Sequence, residues 1–350
     1  MSFLKSGFRF VMSICLGLLL SELIIRALGI APPLPSGYSN FQPDKYLPYR
    51  MAPFDTQHVK TAEFEVTYTT NNHGFRDIED YSYDKPESEF RILALGDSFT
   101  FGAAVQFEES YLHLLEERLR REVNPHVAIV KAGVSNFNSE LEYLMLKYYG
   151  FKYHPDLILV AFLPNDIAGT YLERTNAARV TKAGYLITRQ GEEMGNFMRQ
   201  LYVYSHIARI VIRHVVYRTI NESIRWDEIY RPNGFHEDDW LKLESDYSKM
   251  IALASEENIP IVFVHIPQDL TRFPEADYPA RRLGSFTRSK GVPFIDTLSE
   301  MRRSFQSSSE PHYFKSDGHC TAKGYRVIAD SILEGLNSLN LIPSVDRGNH

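Results

Sequence analysis

Five short apolar segments alternate with amphipathic segments between residues 90 and 340. The apolar segments are RILALG (91–96), VAIVKAG (127–133), DLILVAFL (156–163), IPIVFVHIP (259–267) and VPFIDT (292–297). Segments between them space their apolar residues three or four positions apart, as the leucines of SYLHLLEERLRREV (110–123) do. Apolar strands that alternate with amphipathic helices predict an α/β domain with a parallel sheet that is covered by helices on both faces.

Local signals mark the ends of several of these elements. SELEYLMLKYYG opens with a capping-box pattern from Ser139 to Glu142, and Thr321 is the expected N-cap of the last helix. Upstream of the first apolar segment, EFEVTYTT (63–70) alternates and is rich in β-branched residues, which predicts an edge strand. NNHGFRD (71–77) follows it and has the composition of a turn.

The N-terminus carries a long apolar run over residues 8–30. At about 1.5 Å per residue, a helix of this length crosses a hydrocarbon core of about 30 Å. Glu22 and Arg26 interrupt the run, but their four-residue spacing allows them to pair on one helix face. Lys5 and Arg9 precede the run or lie at its start, which favours a cytoplasmic N-terminus and a chain that continues outside the membrane.

A cleaved signal peptide is the alternative to this anchor, since Ala27 and Gly29 are small enough for a cleavage site. A retained anchor is favoured because apolar residues continue past Glu22 to Ile30, further than in a typical signal sequence. The expected location is the inner (cytoplasmic) membrane, with a single pass and with the main domain on the periplasmic or extracellular side.

The chain after the anchor divides into two parts. Residues 31–62 predict a stalk, because their prolines exclude regular helix and central strand. Residues 63–342 form the predicted domain, with an insertion at about 168–237 between the third and fourth strands. Within that insertion, residues 196–220 are amphipathic and basic. We expect a cap helix that buries its apolar face on the core, with a membrane-surface helix or a groove wall for an anionic polymer as alternatives.

Composition narrows the function classes. The 350 residues include 44% hydrophobic and 23% charged residues, which suits a globular protein with a full core. A formal net charge of −6 gives no reason to expect nucleic-acid binding. Cys15 lies in the apolar N-terminus and Cys320 near the C-terminus, so a disulfide is not expected, and no cysteine spacing typical of metal sites is present. We therefore expect no metal and no cofactor.

Polar residues and glycine follow the predicted strands at the edge where parallel sheets bind ligands. They are Ser98, Gly133, Asn165, Asp317 and His319. A serine, a histidine that takes its proton and an aspartate that holds the imidazole are the groups that acyl transfer needs. Amide donors stabilise the oxyanion that develops during that reaction.

Each of these positions also has a purely structural explanation. Ser98 and Asn165 occur where helix caps and turns occur, Gly133 suits a strand-to-helix turn, and Asp317 with His319 suits a polar loop. No single position is decisive, but their joint placement at strand ends favours a catalytic site.

The four blocks that contain these residues resemble the SGNH (GDSL-like) hydrolase family, over roughly residues 70 to 340. The blocks are GDSFTFG, AGVSNFN, LPND and DGHCTAKGY. The resemblance implies a flavodoxin-like three-layer α/β/α fold. It also implies Ser98 as the nucleophile and first oxyanion donor, Gly133 and Asn165 as the other donors, and Asp317 with His319 as the rest of a catalytic triad.

Three positions depart from the family pattern. Leu163 stands where glycine is frequent in the third block, and Asn136 stands where a second glycine is frequent in the second block. Asp317 and His319 are separated by one residue, whereas two are commoner. This spacing and the upstream NNHGFRD resemble the membrane-anchored bacterial branch near the alginate O-acetyltransferases.

Two function classes follow. The first is a membrane-anchored serine esterase or O-acyltransferase that acts on acyl groups, with acetyl favoured, of a cell-envelope or secreted polysaccharide or on a small ester. The second is a non-catalytic envelope protein that binds a glycan in the same groove. The presence of Ser98, Asn165, Asp317 and His319 together favours the enzyme. Water and a sugar hydroxyl both remain open as acceptors of the acyl group.

Overall fold

The computed structural model describes residues 2–30, 41–167, 179–180, 186–187, 196–212, 214–215, 226–232, 236–274 and 276–344. In chain order its elements are α1 (Ser2–Leu28), β1 (Phe41–Gln42), β2 (Arg50–Met51), β3 (Thr56–Lys60), β4 (Glu65–Thr69), β5 (Phe90–Gly96), α2 (Ser98–Phe101), α3 (Tyr111–Glu122), β6 (Val127–Gly133), α4 (Ser139–Tyr148), β7 (Leu157–Phe162), β8 (Arg179–Val180), β9 (Leu186–Ile187), α5 (Asn196–Tyr204), α6 (206–212), α7 (Glu237–Glu256), β10 (Ile261–His265), α8 (Asp277–Lys290), β11 (Phe294–Asp296), α9 (Leu298–Ser307) and α10 (Ala322–Ser338).

The central sheet has five parallel strands in the order β11-β10-β7-β5-β6, which confirms the predicted parallel sheet. The first strand of this sheet along the chain, β5, lies between the second, β6, and the third, β7, which is the flavodoxin-like order. Loops after β5 and β7 therefore leave the sheet on opposite faces, at the point where ligands bind in folds of this type. Gly96 at the end of β5 is paired with Gly133 at the end of β6, so these two strand ends lie side by side.

Helices cover both faces of this sheet. On one face α3 packs against α10, and Leu112, Leu115 and Leu119 of α3 are almost completely buried. On the other face α4 packs against α7, whose Trp240 and Tyr247 are buried against Phe162 of β7. The continuous apolar sequence of the central strands is thus explained by burial on both sides.

One local prediction is confirmed and one is wrong. The edge strand predicted over 63–70 is β4, which pairs antiparallel with β3 in a two-stranded hairpin separate from the main sheet. The N-cap of α4 is Asn138, whose side chain accepts a hydrogen bond from the Leu141 amide, and not Ser139 of the predicted capping box. Glu142 instead lies buried, where its carboxylate makes no return bond to the cap.

The N-terminal part also differs from the stalk predicted over 31–62. Residues 31–40 lie outside the described residues, but those that follow belong to the core. Phe41, Leu47, Tyr49 and Met51 are nearly completely buried. The centroid of the Tyr49 ring lies 5.2 Å from that of Phe41 and 5.6 Å from that of Phe137. Short strands β1, β2 and β3 also form here, so the prolines prevent neither regular elements nor the packing of the apolar side chains between them.

One helix, α1, has the length and composition of a membrane span. The most apolar 18-residue window of its segment Ser6–Leu28 has a mean hydropathy of 2.0, and no residue of that window is fully buried. A signal sequence has the same length and composition, so this helix is a candidate for either a membrane anchor or a signal sequence.

A buried ion cluster connects the NNHGFRD segment to the sheet. Lys131 on β6 contacts Asp77 at 2.8 Å and Glu116 of α3 at 2.5 Å, and all three side chains are less than a tenth exposed. Tyr81 donates a further hydrogen bond to Asp77. Burial by itself lowers the pKa of Lys131, but the two carboxylates more than offset this, so the pKa is raised and the charge is kept.

We predict that Lys131→Met lowers the free energy of unfolding by about 3–5 kcal/mol, because it leaves two buried carboxylates without their cation. Chemical denaturation of the detergent-solubilised chain measures this change. Lys60→Met is the matched control, since Lys60 and its partner Glu65 are both half-exposed or more and the loss of their ion pair should change stability little. Equal effects of the two substitutions would contradict a structural role for the buried cluster.

Candidate active site

Ser98 begins a single helical turn, α2, directly after the central strand β5. The Asp97 side chain caps this turn by accepting a hydrogen bond from the Phe99 amide at 2.9 Å. The turn lies close to the sheet because Gly96 and Gly133 have no Cβ. A Cβ on Gly96 would lie 2.0 Å from Thr100 Oγ1, and one on Gly133 would lie 2.4 Å from the Phe101 nitrogen. Ser98 itself remains partly exposed at the carboxyl edge of the sheet.

The other end of the same turn is held by Arg76, from the NNHGFRD segment. Its guanidinium donates to the carbonyl oxygens of Phe101, Gly102 and Val105. It also lies over the rings of Tyr68 and Phe101, at 4.7 and 5.4 Å from their centroids. Arg76 is 3% exposed, so this buried cation binds the carbonyl end of the turn where helices carry partial negative charge.

The loop before α10 brings the acid and the imidazole together. Gly318, between Asp317 and His319, has a φ of 90°, a left-handed conformation that glycine adopts without strain. This tight turn is closed by hydrogen bonds between Phe314 and His319 and between Gly318 and Phe314. The one-residue spacing therefore suffices for contact between the two side chains.

The structure places three of the predicted residues in one hydrogen-bonded chain. His319 Nε2 lies 2.8 Å from Ser98 Oγ, and His319 Nδ1 lies 2.5 Å from Asp317 Oδ1. Ser98 and His319 are 221 positions apart in the sequence. The imidazole and the carboxylate are each about one-fifth exposed, so a small molecule can reach them from solvent.

Electrostatics favour a protonated imidazole more than in free histidine. Burial by itself lowers the pKa of His319, but the adjacent Asp317 carboxylate more than offsets this, with a further contribution from Asp97. The pKa of His319 is therefore raised above its usual value of 6.5. A positively charged imidazole is stabilised at this position, which is the state that a general base reaches after it takes a proton.

Asn165 lies on the loop after β7 and contacts the residue before Ser98. Its Nδ2 donates to Asp97 Oδ2 at 2.8 Å. An amide nitrogen carries two N–H donors, and this bond uses one of them. Burial raises the pKa of Asp97, while the hydrogen bonds from Asn165 and Phe99 oppose that shift. Asp97 thus fixes the orientation of Asn165 in addition to capping the turn.

Gly133 ends β6, and the loop after it bends sharply. Asn136 has a φ of 62°, so it occupies the left-handed region at the position where the resemblance leads us to expect glycine. Asparagine tolerates this region better than other side chains do. Tyr49 holds the bend by donating its hydroxyl toward the carbonyl oxygens of Ser135 and Asn136, at 3.2 and 2.9 Å.

The hairpin β3–β4 supports the loop of Asp317. The Glu63 carboxylate accepts hydrogen bonds from the amides of Ser316 and Asp317 at 2.9–3.0 Å. Arg272 donates to the carbonyl oxygens of Lys315 and Ser316 on the same loop. The amides of this loop are therefore held by a carboxylate and its carbonyl oxygens by a guanidinium.

Two more carboxyl groups lie buried behind the site. Neither oxygen of Glu142 has a hydrogen-bond partner among the described residues, and the same is true of Asp166 Oδ1. Burial raises the pKa of Glu142 well above its usual range, and the neighbouring Asp97 and Asp246 raise it further. The pKa of Asp166 is raised for the same reasons, by burial first and then by Glu142 and Asp97. Both groups are thereby favoured as neutral acids.

Across the ranges that the structure describes, no group of three or more histidine, cysteine, aspartate or glutamate side chains is arranged to hold a metal ion. Cys15 and Cys320 are both free thiols, the first exposed and the second buried.

Sequence reasoning missed four residues that position this site: Asp97, Glu63, Arg76 and Tyr49. Asp97 was visible in the first block, but only as a former of the turn. The other three act through contacts with residues distant in the sequence, and Glu63 reaches Asp317 across 254 positions. The arginine of NNHGFRD was visible in the sequence, but its burial was not. Only the structure shows that its guanidinium lies in the interior, where it requires several acceptors.

The sequence model of the GDSL-like lipase/acylhydrolase family matches residues 94–327, about two-thirds of the chain. A search of curated proteins gives no match.

Several solved structures are similar to this chain. A lipolytic protein of the G-D-S-L family from Veillonella parvula has 14% identity and a TM-score of 0.43, with 70% of this chain and 97% of that chain covered. A catalytic mutant of Axe2, an acetylxylan esterase from Geobacillus stearothermophilus, has 13% identity and a TM-score of 0.44, with 72% and 96% covered. A GDSL-like lipase from Bacteroides thetaiotaomicron has 13% identity and a TM-score of 0.40, with 74% and 93% covered.

We predict that the pKa of the His319 imidazole lies above 6.5 and that Asp317→Asn lowers it. The substitution removes the negative charge that raises this pKa and leaves the burial that lowers it. NMR of the chain labelled at its histidine rings measures both values, with His319→Gln used to assign the signal. An unchanged pKa in the Asp317→Asn variant would show that the contact at 2.5 Å does not control this imidazole.

Proposed function

The chain belongs to the GDSL-like lipase/acylhydrolase family, whose members act on ester bonds, and from this premise we propose a membrane-anchored serine esterase or O-acyltransferase. Its proposed substrates are acyl groups, with acetyl favoured, of a cell-envelope or secreted polysaccharide. The observation that carries the catalytic part is the hydrogen-bonded chain from Ser98 through His319 to Asp317.

In the proposed mechanism, Ser98 Oγ attacks the ester carbonyl carbon while His319 Nε2 takes the hydroxyl proton. Asp317 stabilises the resulting imidazolium. His319 then returns the proton to the departing alcohol oxygen, which leaves an acyl group on Ser98. Water or a sugar hydroxyl, deprotonated by His319, attacks this acyl-enzyme and restores the serine. The choice between the two acceptors decides between hydrolysis and transfer.

Three donors are proposed for the oxyanion. They are the backbone N–H groups of Ser98 and Gly133 and the second N–H of the Asn165 amide. The position of Ser98 at the start of a helical turn supports its role, because the first amides of a helix have no acceptor within it. The contact between Asn165 and Asp97 supports the third donor, since it holds the amide in one orientation.

The anchor and the polymeric substrate rest on two further observations. The segment Ser6–Leu28 is long and apolar enough to span a bilayer, and Lys5 and Arg9 favour an inner-membrane protein with Ser98 on the outer side. The short spacing of Asp317 and His319 and the NNHGFRD segment resemble the alginate O-acetyltransferase branch, which supports a glycan ester as the substrate.

A comparison of ester substrates tests this proposal. The full chain in detergent is incubated with a chromogenic acetyl ester, alone and together with acetylated and unacetylated envelope polysaccharides. We expect turnover of the acetyl ester, and either release of acetate from the acetylated polymer or transfer of acetyl to the unacetylated one. Turnover of the small ester with neither polymer reaction would contradict the polysaccharide substrate while leaving the esterase intact.

We predict that a fluorophosphonate probe labels the wild-type chain and does not label Ser98→Ala, because the probe reacts only with an activated serine hydroxyl. Ser331→Ala serves as control, since Ser331 lies buried on α10 and donates only to the Val327 carbonyl. Equal labelling of wild type and Ser98→Ala would exclude Ser98 as the nucleophile. A glycan-binding protein without activity would show labelling of neither.

We predict that Asn165→Ala lowers kcat for the acetyl ester about 10²–10³-fold, the usual effect of one lost oxyanion donor. The variant should still fold, with a lower melting temperature, because the buried Asp97 carboxylate loses one hydrogen bond. Asn337→Ala, at an exposed position of α10, is the matched control and should leave kcat unchanged. If Asn165→Ala kept the wild-type kcat, its role would be limited to the hydrogen bond with Asp97.

A further inference from the structure

Two helices of the insertion form an arm that is hydrogen-bonded to α1. We use the term arm for residues 196–212 and 214–215, which comprise α5 and the helix that begins at 206. Five of its large apolar side chains are exposed, by 44% to 73%: Phe197, Met198, Tyr204, Val211 and Val215. Tyr202 and Ile212 of the arm are buried, so the arm buries part of its apolar surface and exposes the rest.

The arm is bound to α1 through a carboxylate. Glu22 accepts hydrogen bonds from the amides of His206 and Ile207, at 2.8 and 3.0 Å, and from the Ser205 hydroxyl at 3.0 Å. These groups form the amino end of the second arm helix. Arg26 completes the contact by donating to the same carboxylate at 2.8 Å and to the Tyr204 carbonyl at 2.6 Å.

This contact explains why two charged residues interrupt an otherwise apolar helix. A carboxylate in or near a bilayer requires compensating partners. Glu22 has two of them, namely the Arg26 guanidinium and the positively polarised amino end of the helix that begins at residue 206. Glu22 lies six residues before the end of the candidate span, about 9 Å along the helix axis. When the span is centred on a hydrocarbon core of about 30 Å, Glu22 lies about 7 Å inside the acyl-chain region, within the depth of about 5–10 Å to which interfacial helices bury their apolar faces.

The candidate span also exposes apolar side chains next to its contact with the arm. Leu23, Ile24 and Leu28 of α1 are each more than half exposed. The sequence between residues 196 and 215 also carries Arg199 and Arg213. Arg209 is buried, and its Nε donates to the Tyr202 carbonyl within the arm. A sequence that combines apolar with basic residues is typical of helices that lie in the interface of an anionic membrane.

The same end of α1 also touches the support of the active site. A Cβ on Gly29 would lie 3.8–3.9 Å from Lys60 and Thr61, at the tip of the β3–β4 hairpin. Glu63, two residues beyond Thr61, binds the loop of Asp317. The site and the arm are therefore connected to the outer end of the same helix.

We propose that the arm is an interfacial membrane-binding element, which lays its exposed apolar side chains into the outer leaflet and holds Ser98 close to the membrane surface. This inference rests on the proposed membrane anchor, and it adds a second contact with the bilayer. The lipid is recognised by its acyl-chain boundary and its anionic headgroups. An ester carried by a membrane-linked polymer or lipid would then reach Ser98 more readily than one free in solution.

Fluorescence quenching in vesicles tests the proposal with the full chain. Phe197→Trp and Val215→Trp place a probe on the arm. Leu339→Trp is the matched control, because Leu339 follows α10, which runs back from the carboxyl edge of the sheet to the opposite edge. Each variant is reconstituted into phosphatidylglycerol–phosphatidylethanolamine vesicles with and without brominated acyl chains, and the wild-type emission is subtracted.

We expect brominated lipid to quench the added emission of both arm variants at least twofold and to leave that of Leu339→Trp unchanged. Glu22→Gln should reduce the quenching at Val215→Trp, because it weakens the cap that holds the helix on α1. Quenching equal to that of Leu339→Trp would overturn the proposal. So would cross-linking of Phe197→Cys to a second copy of the chain with no quenching at Phe197→Trp, which would assign the face to a protein interface.

Two measurements in the same samples separate this inference from the proposed function. Flotation with the vesicles reports the anchor, so a chain that floats but shows no quenching on the arm retains its anchor and loses the interfacial arm. A chain that does not float contradicts both the anchor and the arm. Turnover of a soluble acetyl ester reports the catalytic site, and we expect it to stay within about twofold of wild type in both arm variants.

Discussion

The turn that carries Ser98 lies so close to the central sheet that the two strand positions beneath it, Gly96 and Gly133, have no room for a Cβ atom. A Cβ at Gly96 or Gly133 would come within 2.0–2.4 Å of atoms in this turn, so both strands must end in glycine for the serine to occupy its place. Close packing against two neighbouring strands leaves the turn little freedom to shift. The contact between Ser98 and His319 depends on that fixed position, since the imidazole approaches from a loop more than 200 residues later.

The segment between the candidate anchor α1 and the first strand of the sheet supports the site from the other side. Tyr49 holds the loop after β6, Glu63 holds the loop of Asp317, and Arg76 holds the end of the serine turn. Each contact satisfies backbone groups that a loop cannot satisfy within itself. Three loops from distant parts of the sequence are thereby fixed by one continuous segment of about thirty residues, which follows the candidate anchor α1 in the sequence.

Much of the sheet could be predicted from the sequence, because strands buried on both faces leave continuous apolar runs. The position of Ser98, Gly133, Asn165, Asp317 and His319 at one edge followed from the rule that parallel strands end together. The supporting residues could not be predicted in this way. Asn138 and Ser139 are both good caps, and only the packed structure selects the first. Phe41 and Tyr49 lie among prolines, and their burial depends on tertiary contacts that no local pattern reports. The arm was ambiguous because an amphipathic helix has the same pattern against a protein core as against lipid.

The tight turn at Gly318 places Asp317 and His319 on one short loop, whereas Ser98 lies on a separate turn that is packed against the sheet. Any displacement of that loop, for instance to admit a bulky ester, moves the carboxylate and the imidazole as one body. Their mutual hydrogen bond is preserved, and only the gap to the serine oxygen changes. The reactivity of the serine can thus be varied by a single distance while the basicity of the histidine is retained. In an enzyme with its acid on a separate loop, the same motion would alter both properties at once.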